Sequence, residues 1–76
     1  WSFFPNPAFQ TLQIDIPDQK RGNLALYDLT GRLCATWAEI EDETAIQLGA
    51  LPPGLYVLTL TDSQGRQSSQ KLLVVQ

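Results

Sequence analysis

Histidine is absent from the sequence, and cysteine occurs once, at Cys34. Without histidine the chain lacks the commonest general base, the Ser-His and Cys-His nucleophile pairs and the most frequent metal ligand. A single cysteine excludes an internal disulfide framework, and we expect Cys34 to be a small core or semi-buried residue rather than a reactive thiol. No glycine-rich phosphate loop or paired metal-ligand motif is present. These absences argue against an enzyme and predict no cofactor.

Positive charge is sparse. Five basic residues stand against eight acidic ones, which gives a net charge of -3. The basic residues are scattered along the chain rather than grouped: Lys20, Arg21, Arg32, Arg66 and Lys71. Because a phosphate backbone is bound through clustered positive charge, nucleic acid is not an expected partner.

Long apolar runs are also missing from the sequence. No run is long enough to cross a bilayer as a helix, so no transmembrane segment is predicted, and none has the charged, apolar and cleavage regions of a signal peptide. The first residue is Trp1 rather than a start methionine. We therefore expect a fragment or processed piece of a longer protein.

What remains is the composition of one small folded domain. The chain has 76 residues, of which 43% are hydrophobic and 17% charged. A chain this apolar and this weakly charged is expected to fold rather than to remain disordered. Its small size allows only a modest core, so we expect a thin margin of stability.

Alternating apolar and polar residues predict half-buried strands at residues 11–16, 23–29 and 44–48. The residues that share the inward faces of these three strands are Leu12, Ile14, Ile16, Leu24, Leu26, Ile46 and Leu48. Residues 17–23 are polar and include a glycine, which predicts a turn between the first two strands.

Two Asp-x-x-Gly sequences predict tight hairpin turns. Asp28 and Gly31 bound the first turn, and the second spans residues 62–65. In such turns the aspartate side chain caps backbone amides and glycine takes the positive φ. We expect the first hairpin to return over residues 32–37 and the second over residues 67–75.

The apolar centre of the chain is residues 51–61. Two prolines and a glycine force a turn there, and the residues that follow are rich in Leu, Tyr, Val and Thr, which favour a strand. Tyr56, Leu58 and Leu60 share one face of this strand, and we expect the Tyr56 hydroxyl to find a partner near the edge of the fold. The return strand is polar at first and apolar over residues 72–75, which predicts that its end is covered on both faces.

No stretch longer than a turn has apolar residues at helical spacing. At most we expect a short helical element near residues 37–43, where acidic residues break the sheet. Short strands separated by turns about every 8 to 12 residues are typical of a β-sandwich. The sequence therefore predicts an all-β fold, a small sandwich of about seven antiparallel strands.

The densest carboxylate group is Glu39, Glu41, Asp42 and Glu43. Hard cations such as calcium prefer several oxygens from one loop, but this spacing does not match a calcium-binding loop and no glycine bends it. We favour a solvated connecting loop over an ion site.

Trp1, Phe3 and Phe4 lie outside the predicted strands. Two interpretations are open for these aromatic residues. Either they pack onto the domain as a clasp at its beginning, or they contact whatever precedes them in the full protein.

Four blocks of the sequence together carry a family resemblance. They read FPNPA at residues 4–8, LYDLTGRL at 26–33, LPPGLYVL at 51–58 and QKLLV at 70–74. Their order and separation closely resemble the type A C-terminal sorting domain of the bacterial type IX secretion system, also called the Por secretion system. Each block alone would be weak evidence, but the four cover nearly the whole chain.

The resemblance implies a delivery signal with an immunoglobulin-like β-sandwich fold. Such a domain would follow an upstream cargo domain into the periplasm of a Gram-negative bacterium and be recognised there by the type IX translocon. A surface sortase would then remove it, and the cargo would be anchored at the cell surface or secreted. The implied partners are therefore the translocon, the sortase and the cargo.

The resemblance also implies a division of the chain into a linker at residues 1–4 and the sorting domain at residues 5–76, with processing in or before the linker. It assigns family-motif and recognition roles to Pro5, Asn6, Pro7, Asp28, Gly31, Gly54, Tyr56, Lys71, Leu72, Leu73, Val74 and Val75. The recognition strand is the last part of that set, from Lys71 onward. Two residues depart from the family pattern: Cys34 replaces an aliphatic residue, and Gln76 ends the chain where Lys or Arg is common.

A rival function comes from the sandwich alone. An immunoglobulin- or fibronectin-like adhesion or carbohydrate-binding module of a surface protein would have the same architecture. Position separates the two, because a sorting signal lies at the natural C-terminus whereas a binding module lies anywhere. An unpaired edge strand would in addition allow self-association with a second copy.

Overall fold

The computed structural model describes residues 1–6, 8, 10–17, 21–49 and 51–75. Seven strands account for most of them and no α-helix is present among them, so the predicted all-β class and the number of strands are confirmed. The strands are β1 (Ser2–Phe4), β2 (Thr11–Asp15), β3 (Gly22–Asp28), β4 (Leu33–Ile40), β5 (Thr44–Gln47), β6 (Gly54–Asp62) and β7 (Gln67–Val74).

The strands form two antiparallel sheets. The smaller sheet has the order β1-β2-β5 and the larger has the order β4-β3-β6-β7. In the larger sheet β3 pairs with β6 through Leu26 and Leu58, and β6 pairs with β7 through Tyr56 and Leu72. The two predicted hairpins, β3–β4 and β6–β7, are therefore both present, and β7 lies at an edge of the sheet.

The core follows the two-residue period of the strands. Every residue predicted to face inward from residues 11–16, 23–29, 44–48 and 51–61 is buried. The buried hydrophobic residues are Ala8, Leu12, Ile14, Ile16, Leu24, Leu26, Ile40, Ile46, Leu48, Tyr56, Leu58, Leu60, Leu72 and Val74. None of the described polar or charged residues is buried, so apolar packing supplies this core.

The first hairpin turn is built around the Asp28 carboxylate. Its Oδ1 accepts hydrogen bonds from the backbone amides of Thr30 at 2.9 Å and Arg32 at 3.0 Å, and from Thr30 Oγ1 at 2.5 Å. Gly31 takes a φ of 87°, which a residue with a Cβ rarely adopts. The second turn repeats this pattern, since Asp62 Oδ1 accepts from the amides two and four residues later, both at 2.9 Å. The predicted turn chemistry is confirmed.

Asp28→Asn is expected to lower stability at neutral pH and to flatten its decline in acid. The hydrogen bond from the Thr30 hydroxyl, followed by that from the Arg32 amide, holds the pKa of Asp28 below its ordinary value of 3.8. Because this pKa is lowered in the folded state, the carboxylate's contribution is present above the unfolded value and is lost as pH falls through the folded value.

Thermal unfolding followed from about pH 7 down to about pH 2 checks this expectation. Thr30→Ala is the matched control. It keeps the carboxylate and removes only the hydrogen bond from the Thr30 hydroxyl, which contributes most to the lowered pKa of Asp28. An Asp28→Asn protein that loses stability in acid as steeply as the unchanged chain would contradict the role given to this carboxylate.

Strand β4 is longer than predicted. It continues to Ile40, so the predicted end near residue 37 is wrong, and no helix forms over residues 37–43. The reason is that Ile40 is buried against the core and pairs with Gly22. Within β4, Glu39 takes a φ of 54° and its amide donates to Asn23 Oδ1 at 2.9 Å. This local geometry accommodates the register shift between β3 and β4.

The acidic stretch after β4 has a structural role. Asp42 Oδ1 accepts a hydrogen bond from the Ile16 amide at 2.7 Å, and the Thr44 hydroxyl donates to the Glu41 carbonyl at 2.6 Å. Glu41 also pairs with Arg21 at 2.9 Å in an exposed salt bridge. Across the described residues no group of three or more potential ligands is arranged to hold a metal ion. The contacts match the connecting loop that the sequence favoured.

Candidate functional site

The candidate site is β7 together with the ends of the strands beside it. Residues from separate blocks of the sequence meet there because the larger sheet places them in adjacent rows. Asp28, Tyr56 and Leu72 pair in one row across β3, β6 and β7. Gly54 pairs with Val74 in a neighbouring row. Blocks that are far apart in sequence therefore converge at one end of the sandwich.

Strand β7 has two different faces. Leu72 and Val74 are buried, with exposed fractions of 0% and 2%, whereas Leu73 and Val75 are each 37% exposed. The prediction that residues 72–75 are covered on both faces is therefore wrong. The run of four apolar residues ends β7 and continues one residue beyond it, with one face on the core and one in solvent.

The exposed face of β7 continues onto β6. Leu73 pairs with Leu55, which is 47% exposed, and Lys71 pairs with Val57. One row farther along, the hydroxyls of Thr59 and Ser69 are 2.8 Å apart. Near the end of β7 the outer face of this hairpin is therefore apolar, with one positive charge at Lys71. Toward the turn between β6 and β7 the same face carries hydroxyl groups.

Tyr56 joins the core to the turn that precedes β6. Its ring is 6% exposed, and its hydroxyl donates to the Pro52 carbonyl at 2.5 Å. A tyrosine that bonds back to the chain a few residues upstream resembles the tyrosine corner of immunoglobulin-like sandwiches. Burial raises the pKa of this phenol above its ordinary value, with the charges of Cys34 and Asp28 acting in the same direction. Gly54, with a φ of 154°, lies between that turn and the ring.

Asn6 binds the outer edge of β7. Its Nδ2 donates to the Lys71 carbonyl at 3.3 Å, and its Oδ1 accepts from the Leu73 amide at 3.1 Å. The side-chain amide therefore occupies the position of a neighbouring strand. Pro5 is exposed, and Pro7 lies outside the described residues.

Ala8 continues this contact with its backbone. Its amide donates to the Leu73 carbonyl and its carbonyl accepts from the Val75 amide, both at 2.8 Å, in a parallel bridge with Val74. Its side chain is completely buried. Sequence reasoning missed Ala8, and only its place inside the block FPNPA pointed to it.

The aromatic residues at the beginning of the chain pack onto the domain. Ser2–Phe4 form β1, which pairs with β2, so the prediction that the aromatic residues lie outside the strands is wrong for Phe3 and Phe4, whereas Trp1 does lie outside them. Trp1 and Phe3 are partly buried against the core, with ring centroids 5.7 Å apart, whereas Phe4 is 55% exposed. Of the two interpretations of these aromatic residues, the structure therefore shows the one in which they pack onto the domain. Where the domain begins stays a prediction.

Trp1 also contacts β7. Its indole Nε1 donates to Ser68 Oγ at 2.6 Å, and its carbonyl accepts from Gln70 Nε2 at 2.9 Å. Neither polar residue was singled out from the sequence, because nothing in a local pattern shows that positions almost 70 residues apart are neighbours. The beginning of the chain thus contacts β7 along much of its length.

Two other features of the described residues are the single cysteine and a surface cleft. The half-buried Cys34 Sγ lies 3.6 Å from the carbonyl of Arg32, the residue directly before β4. A cleft of about 360 Å³ lies beside Trp1 and Arg66 and is open to solvent. Within the described part of the chain, no helix is long and apolar enough to span a membrane.

Comparison with known proteins decides the family. The model of a family described as the secretion system C-terminal sorting domain matches residues 2–76. The chain belongs to this family. No curated protein matches the chain in sequence. The resemblance read from the four blocks is confirmed.

The family match indicates the general function of this sorting domain. It is a C-terminal sorting signal of type IX secretion, a system that carries proteins across the outer membrane of Gram-negative bacteria to the cell surface or the medium. Interaction with the secretion machinery and attachment to a cargo protein follow from that role. The family is not known as a catalytic one.

Proposed function

We propose that the type IX translocon reads this sorting domain through the outward side chains at the end of β7, namely Lys71 and Leu73 on the strand and Val75 directly after it. The observation that carries the proposal is the alternation along β7, which leaves these residues in solvent beside Leu55. Exposed apolar side chains grouped on a small domain are typical of a protein-binding surface. Leu72 and Val74 then contribute by packing rather than by contact with the machinery.

Tyr56, Asp28 and the turn glycines Gly31 and Gly54 support this surface from within. Tyr56 fills the core under β7, and the turn glycines allow the chain to reverse at the ends of β3 and before β6. Asp28 fixes the first of these turns through its hydrogen bonds. Their proposed role is to hold β7 in place, since none of them is among the outward side chains of the surface itself.

The route of the cargo follows the family. In our proposal the domain enters the periplasm behind its cargo, is recognised there, and is removed by a surface sortase after export. We place the cut ahead of Ser2–Phe4, because cleavage within this strand would require it to leave β2 first. Burial of Trp1 and Phe3 against the core supports that choice.

A fusion tests the proposal. The chain is joined to the C-terminus of a periplasmic reporter in a cell with an active type IX system, and the reporter is measured in the periplasm, on the surface and in the medium. The proposal predicts that the reporter leaves the periplasm with the chain attached and remains there without it. The same fusion in a cell whose translocon is inactivated controls for lysis.

Retention of the intact fusion in the periplasm would contradict the proposal. A folded domain that is retained but binds the cell surface or a glycan when added from outside would favour the adhesion module instead. Circular dichroism of the purified chain shows whether a retained fusion carries a folded domain.

A further inference from the structure

The outer edge of β7 is the edge that faces away from β6. Backbone groups of Lys71, Leu73 and Val75 point from this edge toward the beginning of the chain. Because backbone groups in a strand repeat their direction every second residue, the amide and carbonyl of Ser69 face the same way. In the part of the chain that the structure describes, another backbone pairs with this row only from Leu73 onward.

Among the described residues, Asn6 and Ala8 cover that end of the row, and we call these two residues the edge cover. Asn6 supplies one hydrogen bond to Lys71 and one to Leu73 through its side chain, at 3.3 and 3.1 Å. Ala8 supplies two through its backbone at 2.8 Å. Asn6 is exposed to solvent while Ala8 is buried. The cover is therefore short, and half of it depends on one exposed side chain.

We propose that the edge cover detaches, and that an extended strand of the protein that recognises the domain pairs with the outer edge of β7 in its place. This inference rests on the proposed function. Addition of a strand to a sheet edge is a common mode of peptide recognition, in which the backbone gives affinity and side-chain sites give specificity.

The cover defines the chemistry of the incoming strand. It runs parallel to β7, because Ala8 pairs in parallel with Val74. It carries a small apolar side chain where Ala8 is now completely buried. Apolar groups on its solvent side would then lie beside Leu73 and Val75.

Hydrogen exchange measures whether the cover opens. In Asn6→Ala we expect the amide of Val75, which donates to the Ala8 carbonyl, to exchange about tenfold faster, because the cover loses both bonds from the Asn6 side chain. The amide of Leu58 in the core keeps its rate. Asn23→Ala is the matched control, since it removes a similar exposed bond, that from the Glu39 amide, on the opposite side of the sheet.

A reversible crosslink tests whether opening is required. Ala8→Cys and Val74→Cys are combined in a Cys34→Ser background, which places the two thiols at paired positions. In the reporter fusion we expect the oxidised form to be retained in the periplasm and the reduced form to be exported. Each single cysteine variant, which cannot form the bond, measures the effect of its own substitution, and the Cys34→Ser parent should be exported normally.

The outcomes separate this inference from the proposed function. If the unchanged fusion is not exported, the proposed function fails. If it is exported and the oxidised crosslinked form is exported equally well, the cover does not need to open and only the inference fails. Unchanged exchange at Val75 in Asn6→Ala would likewise overturn it, whether or not the crosslink forms.

Discussion

Tyr56→Ala is expected to lower the free energy of unfolding by about 3 to 5 kcal/mol, the usual cost of emptying a buried aromatic site. The ring is 6% exposed and its hydroxyl also closes the turn at Pro52. Small domains have total stabilities of only about 5 kcal/mol at the lower end of the range. The variant should therefore be largely unfolded, as urea titration followed by circular dichroism would show.

Tyr56→Phe separates the two contributions of this residue. It keeps the ring and removes the hydrogen bond to Pro52, so a loss of about 1 kcal/mol is expected. A loss near zero in Tyr56→Ala would mean that the ring lies outside the core. A loss in Tyr56→Phe as large as that in Tyr56→Ala would mean that the hydroxyl, rather than packing, fixes β6.

Leu72→Ala and Leu73→Ala should differ sharply although the two leucines are neighbours. Leu72 is fully buried, so its truncation is expected to cost about 2 to 5 kcal/mol. Leu73 is 37% exposed, so its truncation should stay within about 0.5 to 1 kcal/mol. Urea titration of both proteins checks the alternation along β7, and equal losses would contradict it.

The alternation of buried and exposed residues along β7 also determines what a deletion of residues 71–76 would test. Such a deletion removes Leu72 and Val74, both part of the core, as well as the exposed residues beside them. Loss of export would then follow from unfolding as readily as from loss of a recognition surface. Substitutions on the outer face change the surface without emptying the core, so they test recognition separately.

Local patterns predicted most of the fold. The strands at residues 11–16, 23–29 and 44–48 alternate cleanly, and alternation directly reports which face is buried. The hairpin turns were predictable for a similar reason, because Asp28 and the aspartate of the second turn bond to amides two and four residues away. Contacts of this kind are contained in short stretches of sequence.

The errors occurred where burial depends on distant parts of the chain. Four consecutive apolar residues at 72–75 fit a strand covered on both faces or on one, and only the number of layers in the fold decides between them. Strand β4 continues because Ile40 is buried, although acidic residues follow it. Strand β1 is too short to show a period of its own.

The sequence predicted most residues of the candidate site, but not the contacts between them. The resemblance named Asn6 and Lys71 through Val75, but as separate ends of a domain. The bonds from Asn6 to Lys71 and Leu73 join positions 65 and 67 residues apart, a separation that no local pattern can reveal. Ala8 is the clearest omission, since a single alanine carries no signal that it is buried against the last strand.

Recognition of the outer face of β7 by the secretion machinery is tested most directly by comparing export of two folded variants of the reporter fusion. Leu73→Ser changes an exposed leucine on β7, and Leu33→Ser changes one that is 52% exposed on the opposite edge strand. We expect export to fall about tenfold for Leu73→Ser, as for a residue at the centre of an interface, and to be unchanged for Leu33→Ser. Equal export of the two folded variants would contradict recognition through this face.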